Sequence, residues 1–109
     1  MIKYSMLIGR YQPFHEGHQK LVQVLLDEGK NVCIALRDTP ISDTDPYTIE
    51  ERTKMINDVF PQVKVVSIPD IEEVVYGRKV GWGIRQLQLD KETEEISATK
   101  IREGSLVNR

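Results

Sequence analysis

Apolar residues cluster along the chain in short continuous runs that predict a parallel sheet. Mostly apolar runs occupy residues 4–8 and 32–36, and a third run covers 63–68 immediately before Pro69. Runs this short and this apolar are typical of parallel strands that are covered on both faces. The pattern predicts one α/β domain, spanning 1–109, because a chain of this length has room for a single compact core.

Apolar residues at helical spacing separate these runs and predict two helices. Phe14, Leu21 and Leu25 mark the apolar face of the first helix, and Gly29 follows as a left-handed terminator. Thr48 is expected to cap the second helix, with Glu51 completing a capping box. The residues expected to form the apolar face of this second helix, before Pro61 ends it, are Ile49, Ile56, Val59 and Phe60.

The segments outside these elements divide into one informative loop and a less regular region. Residues 38–48 carry prolines, aspartates and hydroxyl side chains, which predicts a loop at the carboxyl end of the second strand, where open α/β sheets bind ligands. Residues 71–76 and 83–89 are interpreted as short strands, joined by a glycine-rich surface turn at 77–83.

Composition indicates a soluble cytoplasmic protein. The chain is 39% hydrophobic and 29% charged, and no apolar run approaches the ~18 residues of a membrane span. Cys33 is the only cysteine, so no internal disulfide forms, and its position in an apolar run predicts a buried, inert thiol.

The charge distribution indicates which parts of the chain suit an anionic ligand. The net charge of −2 argues against a nucleic-acid partner, since such proteins carry a basic patch. Net charge is +2 over residues 1–37, −6 over 38–75 and +2 over 76–109. A phosphate site is therefore expected to use the two ends of the chain.

The sharpest motif is GRYQPFHEGH, residues 9–18, which runs from the first strand into the first helix. It lacks the Lys-Ser/Thr pair of a Walker loop and the three glycines of a dinucleotide fingerprint. Instead it places His15 and His18 three residues apart at a helix N-terminus, where free amides and the helix dipole favour an anion. Gly17 lies between them and, having no side chain, lets phosphate oxygens approach the backbone.

The histidines have two other interpretations: a core histidine, which stays open, and a zinc site, which fails on composition. His18 lies on the apolar stripe of the first helix, so it is also compatible with a hydrogen-bonded core histidine, with His15 at the surface. A zinc site is the second alternative, since residues three apart share a helix face. It fails on ligand number, because the chain has only two histidines and Cys33 is placed inside a strand.

A second motif, ISATKIR, occupies residues 96–102. Ser97, Thr99 and Arg102 offer two hydroxyls and a cation, and backbone amides at a helix start add further donors for phosphate oxygens. A capped, solvent-facing helix with ordinary surface charges explains the same residues about as well.

The two motifs together resemble those of the HxGH nucleotidyltransferase superfamily, in which GxxxPxHxGH follows the first strand and ISxTxxR begins a late helix. Residues 9–13 and 45–52 are similar to segments of archaeal-type nicotinamide-nucleotide adenylyltransferases, and 96–101 to a segment of glycerol-3-phosphate cytidylyltransferases. The resemblance implies a Rossmann-like α/β/α sandwich. It also implies transfer of a nucleoside monophosphate from a nucleoside triphosphate to a phosphorylated acceptor.

The resemblance assigns roles to individual residues and brings in Mg²⁺ as cofactor. His15 and His18 would be catalytic, stabilising charge as the α-phosphorus is attacked. The other implied nucleotide contacts are Gly9, Arg10, Gln12, Gly17, Ser97, Thr99 and Arg102. Phosphoryl-type transfer asks the protein mainly for positioning and charge stabilisation, so no protein nucleophile is implied.

The acceptor side departs from the resemblance. Asp38, Arg52 and Trp82 are the candidate acceptor contacts, but residues 35–40 replace the small-residue Gly-Ser-Ala-Gln loop of the adenylyltransferases. Adenylyl transfer from ATP is the preferred activity, and cytidylyl transfer from CTP is the alternative. A nucleotide-binding module without turnover and a structural interaction module are the rivals from other classes. No membrane partner is expected, and a homodimer is possible.

Overall fold

Strands and helices alternate along the described part of the chain. The computed structural model describes residues 1–78 and 81–87. Its elements are β1 (Tyr4–Gly9), α1 (Glu16–Asp27), β2 (Asn31–Asp38), α2 (Ile49–Val59) and β3 (Lys64–Pro69). The three predicted strands and two predicted helices are thereby confirmed; β1 begins at the predicted residue, the other strand ends differ by one or two residues, and Phe14 precedes α1 instead of lying on it.

The three strands form one parallel sheet in the order β1-β2-β3. Gly9 lies opposite Leu36 at the end of the first pairing, and Asp38 lies opposite Pro69 at the end of the second. The carboxyl ends of all three strands therefore meet at one edge of the sheet. Two segments leave this edge: the histidine motif, which follows β1, and the acidic loop of residues 38–48, which lies before α2.

Both helices pack on the same face of the sheet. Alternate residues of β2 (Val32, Ile34 and Leu36) belong to the core cluster together with Val22 of α1 and Ile56 of α2. The register places Leu7 of β1 and Val65 of β3 on that same face. Among the described residues, the remaining core members are Tyr11, Phe14, Leu25, Phe60 and Val63. Two of these, Tyr11 and Phe14, come from the histidine motif, so this motif is anchored in the core.

The predicted helix ends agree with the structure. Thr48 accepts the Glu51 N–H at 3.0 Å and the Glu51 carboxylate accepts the Thr48 N–H at 2.9 Å, which is the expected capping box. Gly29 follows α1 with φ +79°, a left-handed conformation that suits glycine. One expected core position is wrong: Val59 is 45% exposed, whereas the adjacent Phe60 is buried as expected.

The strands predicted at 71–76 and 83–89 are wrong where the structure describes them. Residues 71–76 and 83–87 have no strand pairing, and Val74 and Val75 are exposed. After Pro69 the chain leaves the sheet edge, where the Asp70 carboxylate accepts from Arg37 at 2.9 Å. An apolar run forms a strand only where a neighbouring strand supplies backbone hydrogen-bond partners. The side-chain pattern alone is therefore insufficient to predict a strand. The predicted surface position of the glycine turn is confirmed for the residues described there.

Two further sequence expectations bear on the class of protein. Cys33 is buried and burial raises the pKa of its thiol, as expected for an inert cysteine. No helix in the described ranges is long and apolar enough to cross a membrane.

Candidate active site

The two histidines of the motif together cap α1. His15 is the N-cap residue, and its Nδ1 accepts the Gly17 N–H at 3.0 Å. His18 reaches back, so that its Nδ1 accepts the His15 N–H at 3.2 Å. This is a capping box in which imidazoles replace the usual hydroxyl and carboxylate. The sequence predicted the helix start but not this use of the histidine side chains.

The cap fixes the protonation pattern of both neutral rings. A neutral imidazole has one donor and one acceptor nitrogen, and here each Nδ1 is the acceptor. The proton of each neutral ring therefore lies on Nε2, at the other side of the ring. The rings of His15 and His18 are stacked with centroids 3.7 Å apart and planes 22° apart. The cap therefore sets the tautomer of two stacked rings, in each of which Nε2–H is the donor.

Tyr11 orients the second histidine. Its ring meets His18 edge to face, with centroids 4.6 Å apart and planes 86° apart. Tyr11 is 4% exposed and has φ +54°, a left-handed conformation that costs a residue other than glycine roughly 1–3 kcal/mol. The Phe14 ring is stacked near parallel to that of His18, with centroids 6.0 Å apart, and meets Tyr11 edge to face at 5.9 Å. His18 therefore packs against two core aromatics that contact each other, while its imidazole also serves the cap.

Gly9 is close to the same cluster. A Cβ added to Gly9 would lie 3.0 Å from Cζ and 3.1 Å from Cε2 of the Tyr11 ring. The missing side chain at the end of β1 therefore makes room for Tyr11. The structure thus gives this predicted nucleotide contact a packing function of its own.

Arg10, the predicted phosphate ligand after β1, is paired with the acidic loop. Its Nη1 lies 3.3 and 3.4 Å from the two carboxylate oxygens of Asp45. Both side chains are largely buried, with exposed fractions of 22% for Arg10 and 11% for Asp45. The Arg10 guanidinium thus ties the histidine motif to the acidic loop through a partner that sequence reasoning did not single out.

Gln12, the other predicted nucleotide contact in this segment, ties the same two loops together. Its Nε2 donates to the Tyr47 carbonyl at 2.9 Å, and its Oε1 accepts the Tyr47 N–H at 2.9 Å. Gln12 is fully buried. This geometry gives Gln12 a structural role, because both ends of its amide are engaged by backbone.

Arg52, predicted to contact the acceptor, is buried at the point where β1 and β2 separate. Its exposed fraction is 1%. Nη1 donates to the carbonyls of Arg10 at 2.7 Å and Arg37 at 2.9 Å, and Nε donates to the Thr48 carbonyl at 3.2 Å. Burial lowers the pKa of its guanidinium, which the nearby carboxylates of Asp38 and Asp45 oppose. The side chain therefore supports the loops and does not extend towards solvent from the helix surface.

The remaining predicted acceptor residues are on the surface. Asp38 ends β2 and is exposed, and its charge acts on Arg52. Trp82 is 69% exposed, so its ring is not part of the core. The next residue after Asp38 was missed: Thr39 is 7% exposed, and its buried Oγ1 has no hydrogen-bond partner among the described residues.

An open pocket of about 190 Å³ lies near the ends of β1 and β2 but does not include the histidines. Its lining residues are Ile8, Arg37, Ile71, Glu72, Glu73 and Val74. Two adjacent carboxylates in the lining disfavour a phosphate ligand there. The histidine motif is therefore the better candidate for the active site.

The second motif lies outside the described residues, so Ser97, Thr99 and Arg102 stay predictions. Within the described chain, sequence reasoning missed Tyr11, Asp45 and the backbone of Tyr47. The sequence does contain a signal for Asp45, because a loop carboxylate that precedes a helix cap can pair with an arginine at the same sheet edge. Tyr11 had none beyond its place in the motif.

Comparison with known proteins identifies what the chain is similar to. The nicotinamide-nucleotide adenylyltransferase of Thermoplasma acidophilum is 34% identical over 76 residues, which are 66% of this chain and 42% of that protein. The nicotinamide/nicotinic acid mononucleotide adenylyltransferase of Acinetobacter baylyi is 40% identical over 55 residues, 49% of this chain and 29% of that protein. The chain thus spans less than half the length of these curated relatives.

A solved structure shares the fold. It is a bifunctional NMN adenylyltransferase/ADP ribose pyrophosphatase from Francisella tularensis, crystallised with AMP and a manganese ion. It aligns with a TM-score of 0.55 and 29% identity over 64% of this chain and 23% of that one. The parallel strands described above therefore belong to a Rossmann-like α/β fold. Residues 6–81 match the family described as cytidylyltransferase-like, and the chain belongs to that family.

Proposed function

We propose that this chain carries the catalytic histidines of a nucleotidyltransferase, which moves AMP from ATP to a phosphorylated small molecule and releases pyrophosphate. The observation that carries the proposal is the histidine capping box, with Nδ1 of His15 and of His18 fixed as acceptors. Family membership supports the reaction class, and the names of the relatives support adenylyl transfer.

In the proposed reaction, a phosphate oxygen of the acceptor attacks the α-phosphorus of the triphosphate. The bond from the α-phosphorus to the bridging oxygen breaks, and its electron pair leaves with pyrophosphate. Negative charge grows on that bridging oxygen and on the α-phosphoryl oxygens. The Nε2–H groups of His15 and His18 would donate to these oxygens, and donors fixed before reaction stabilise the transition state most effectively.

Other groups would hold the phosphates without taking part in bond changes. The start of α1 and the Arg10 guanidinium belong to the same motif as the histidines and suit an anion. Gly17, at the second position of α1, is buried in the described structure. In the proposal Ser97, Thr99 and Arg102 bind the β- and γ-phosphates.

A divalent metal, preferably Mg²⁺, would accompany the triphosphate. The described residues contain no group of three or more side chains suited to hold a metal ion. This fits Mg²⁺, which is commonly bound by one or two carboxylates together with the substrate's phosphates. Such an ion would supply charge neutralisation on the phosphate oxygens.

The acceptor is proposed to be a phosphorylated mononucleotide bound beyond the end of β2. The names of the relatives support a nicotinamide mononucleotide. Asp38 and Trp82 are exposed and suit direct contacts, whereas the burial of Arg52 favours an indirect role. CTP with a phosphorylated alcohol is the alternative pair, since the 96–101 segment resembles that of cytidylyltransferases.

The test is release of pyrophosphate from ATP, CTP, GTP and UTP with Mg²⁺ and a panel of phosphorylated acceptors. We expect ATP with a mononucleotide acceptor to react fastest. Thermal shifts run in parallel, since a ligand at 100 times its Kd adds ~2.7 kcal/mol of stability. A triphosphate that stabilises the protein without pyrophosphate release would support the binding module, and no shift with any nucleotide would support the structural module.

A further inference from the structure

Arg52 is a buried cation whose hydrogen bonds go to backbone. In the described chain, no carboxylate lies within 4.0 Å of its guanidinium, which donates to the carbonyls of Arg10, Arg37 and Thr48. A buried charge without a paired carboxylate is costly, so such an arrangement persists where it has a specific use. The three acceptors belong to three different segments of the chain.

Those acceptors mark the place where two strands stop pairing. The β1–β2 pairing ends at Gly9 and Leu36, one residue before Arg10 and Arg37 respectively. Beyond it, the carbonyls of the separating strands lose the ladder partners between β1 and β2, although the Arg37 carbonyl also accepts the Thr39 N–H at 3.1 Å. The Arg52 guanidinium takes that position and bonds both carbonyls through one nitrogen.

The Arg10 carbonyl belongs to the peptide that joins Arg10 to Tyr11, which contacts His18 of the histidine pair. Tyr11 adopts φ +54° and places its ring 4.6 Å from that of His18. Fixing the peptide between Arg10 and Tyr11 therefore fixes the position of an aromatic ring against the imidazole. Gln12 then joins the same segment to Tyr47, one residue before the Thr48 carbonyl that Arg52 also holds.

We propose that Arg52 is a positioning residue of the histidine site, which holds the ends of β1 and β2 and thereby sets the orientation of His18 through Tyr11. This inference rests on the proposed function for its catalytic consequence only. The structural part of the inference, that Arg52 sets the orientation of the His18 imidazole, does not depend on that function. Lysine does not replace arginine here, because the three bonds require a planar group with several donors in fixed directions.

The experiment uses the fact that the chain has only two histidines. Protein labelled with ¹⁵N in histidine gives ring signals that report which nitrogen carries the proton. Spectra are compared for the wild type, R52K and R52Q at a pH where the rings are neutral, well below each melting temperature. The control is K54Q, which removes an exposed charge from the same helix; Lys54 pairs with Asp58 at 2.8 Å, one turn further along.

We expect the wild type and K54Q to show both rings protonated at Nε2. R52K and R52Q are expected to show a tautomer mixture for His18 while far-ultraviolet circular dichroism reports a retained fold. In pyrophosphate release, kcat of R52K should fall roughly 10- to 100-fold, because a misplaced catalytic group loses about this much. Its KM for the triphosphate should change by less than the loss in kcat.

Unchanged imidazole signals in both folded variants would overturn the proposal and leave Arg52 a purely structural residue. If neither variant folds, even with an added osmolyte that favours compact states, the proposal is likewise overturned. Absence of pyrophosphate release by the wild type would contradict the proposed function alone, since the spectra still decide the role of Arg52.

Discussion

His15 combines two roles that substitution can separate. Its Nδ1 caps α1 through the Gly17 N–H, whereas its Nε2–H belongs to the proposed phosphate site. Serine keeps an N-cap acceptor but has no imidazole, so H15S should retain the stability of the wild type. H15A loses the cap and should lower the free energy of unfolding by about 1 kcal/mol relative to H15S. Both should lower kcat on the order of 10²- to 10³-fold, the loss for one fixed donor.

Urea unfolding and pyrophosphate release, measured on the same two preparations, test this separation. Near-normal kcat in H15S would assign the histidine to the helix cap alone. Equal stability of H15S and H15A would instead show that the cap contributes little.

Gly9 provides a second prediction at the residue scale. A methyl group there would lie 3.0–3.1 Å from two Tyr11 ring carbons, and the ring is enclosed by the core. G9A should therefore lower the free energy of unfolding by about 1–3 kcal/mol, the usual cost of overpacking. The control is G77A, because a Cβ at Gly77 meets no atom within 4 Å.

Denaturant unfolding of both variants gives the answer. The control should stay within about 0.5 kcal/mol of the wild type. A loss in G77A as large as that in G9A would remove the steric explanation.

Among the elements, α2 links the helix cap to the active-site loops. The Thr48 side chain begins the helix, and the Thr48 carbonyl accepts from Arg52 one turn later. T48A should lower the free energy of unfolding by about 1 kcal/mol through loss of the cap, whereas T48S keeps the hydroxyl and should match the wild type. Thermal melts of the two variants provide the measurement, and equal melting temperatures would contradict the capping role.

The elements that the sequence predicts well are those whose signal is local. A capping box at Thr48 and Glu51, a left-handed Gly29 and apolar runs for β1, β2 and β3 each depend on neighbours in the chain. The strand expected at 71–76 depends on a partner strand, which no local pattern reveals, and there the prediction was wrong.

The same distinction applies to the site. The position of His15 and His18 at a helix start follows from the motif, but their use of Nδ1 in the cap does not. The bonds of Gln12 and Arg52 span 35 and 42 residues respectively, so their burial required the tertiary structure. A glutamine or arginine in a motif resembles a ligand contact whether it binds substrate or backbone.

On the scale of the whole molecule, the sheet edge unites segments of opposite charge. Residues 1–37, which contain the motif, carry net +2, and the following residues 38–75 carry −6. The Arg10–Asp45 pair joins these two regions, and Arg10 belongs to the same motif as the histidines. Because the Arg10 cation already has an anionic neighbour, binding at this motif favours a triphosphate that brings a divalent metal.

The stability of the whole molecule should fall at alkaline pH because of Tyr11. Burial raises the pKa of its phenol above the ordinary value of about 10. Above that value the unfolded chain releases this proton while the folded protein keeps it, so rising pH favours unfolding. The loss begins near pH 10 and amounts to at most ~1.4 kcal/mol per pH unit until the folded pKa is reached.

Y11F provides the control for the alkaline loss, since it keeps the ring in the core but has no ionisable group. Burial also raises the pKa of Cys33, but this thiol is present in both proteins and cancels in their difference. Urea unfolding of the wild type and Y11F from pH 8 to 11 should give a constant difference in the free energy of unfolding below pH 10. Above it, the wild type should lose stability faster than Y11F. Parallel curves throughout the range would mean that the Tyr11 hydroxyl is accessible to solvent and that the ring does not seal the space between β1 and His18.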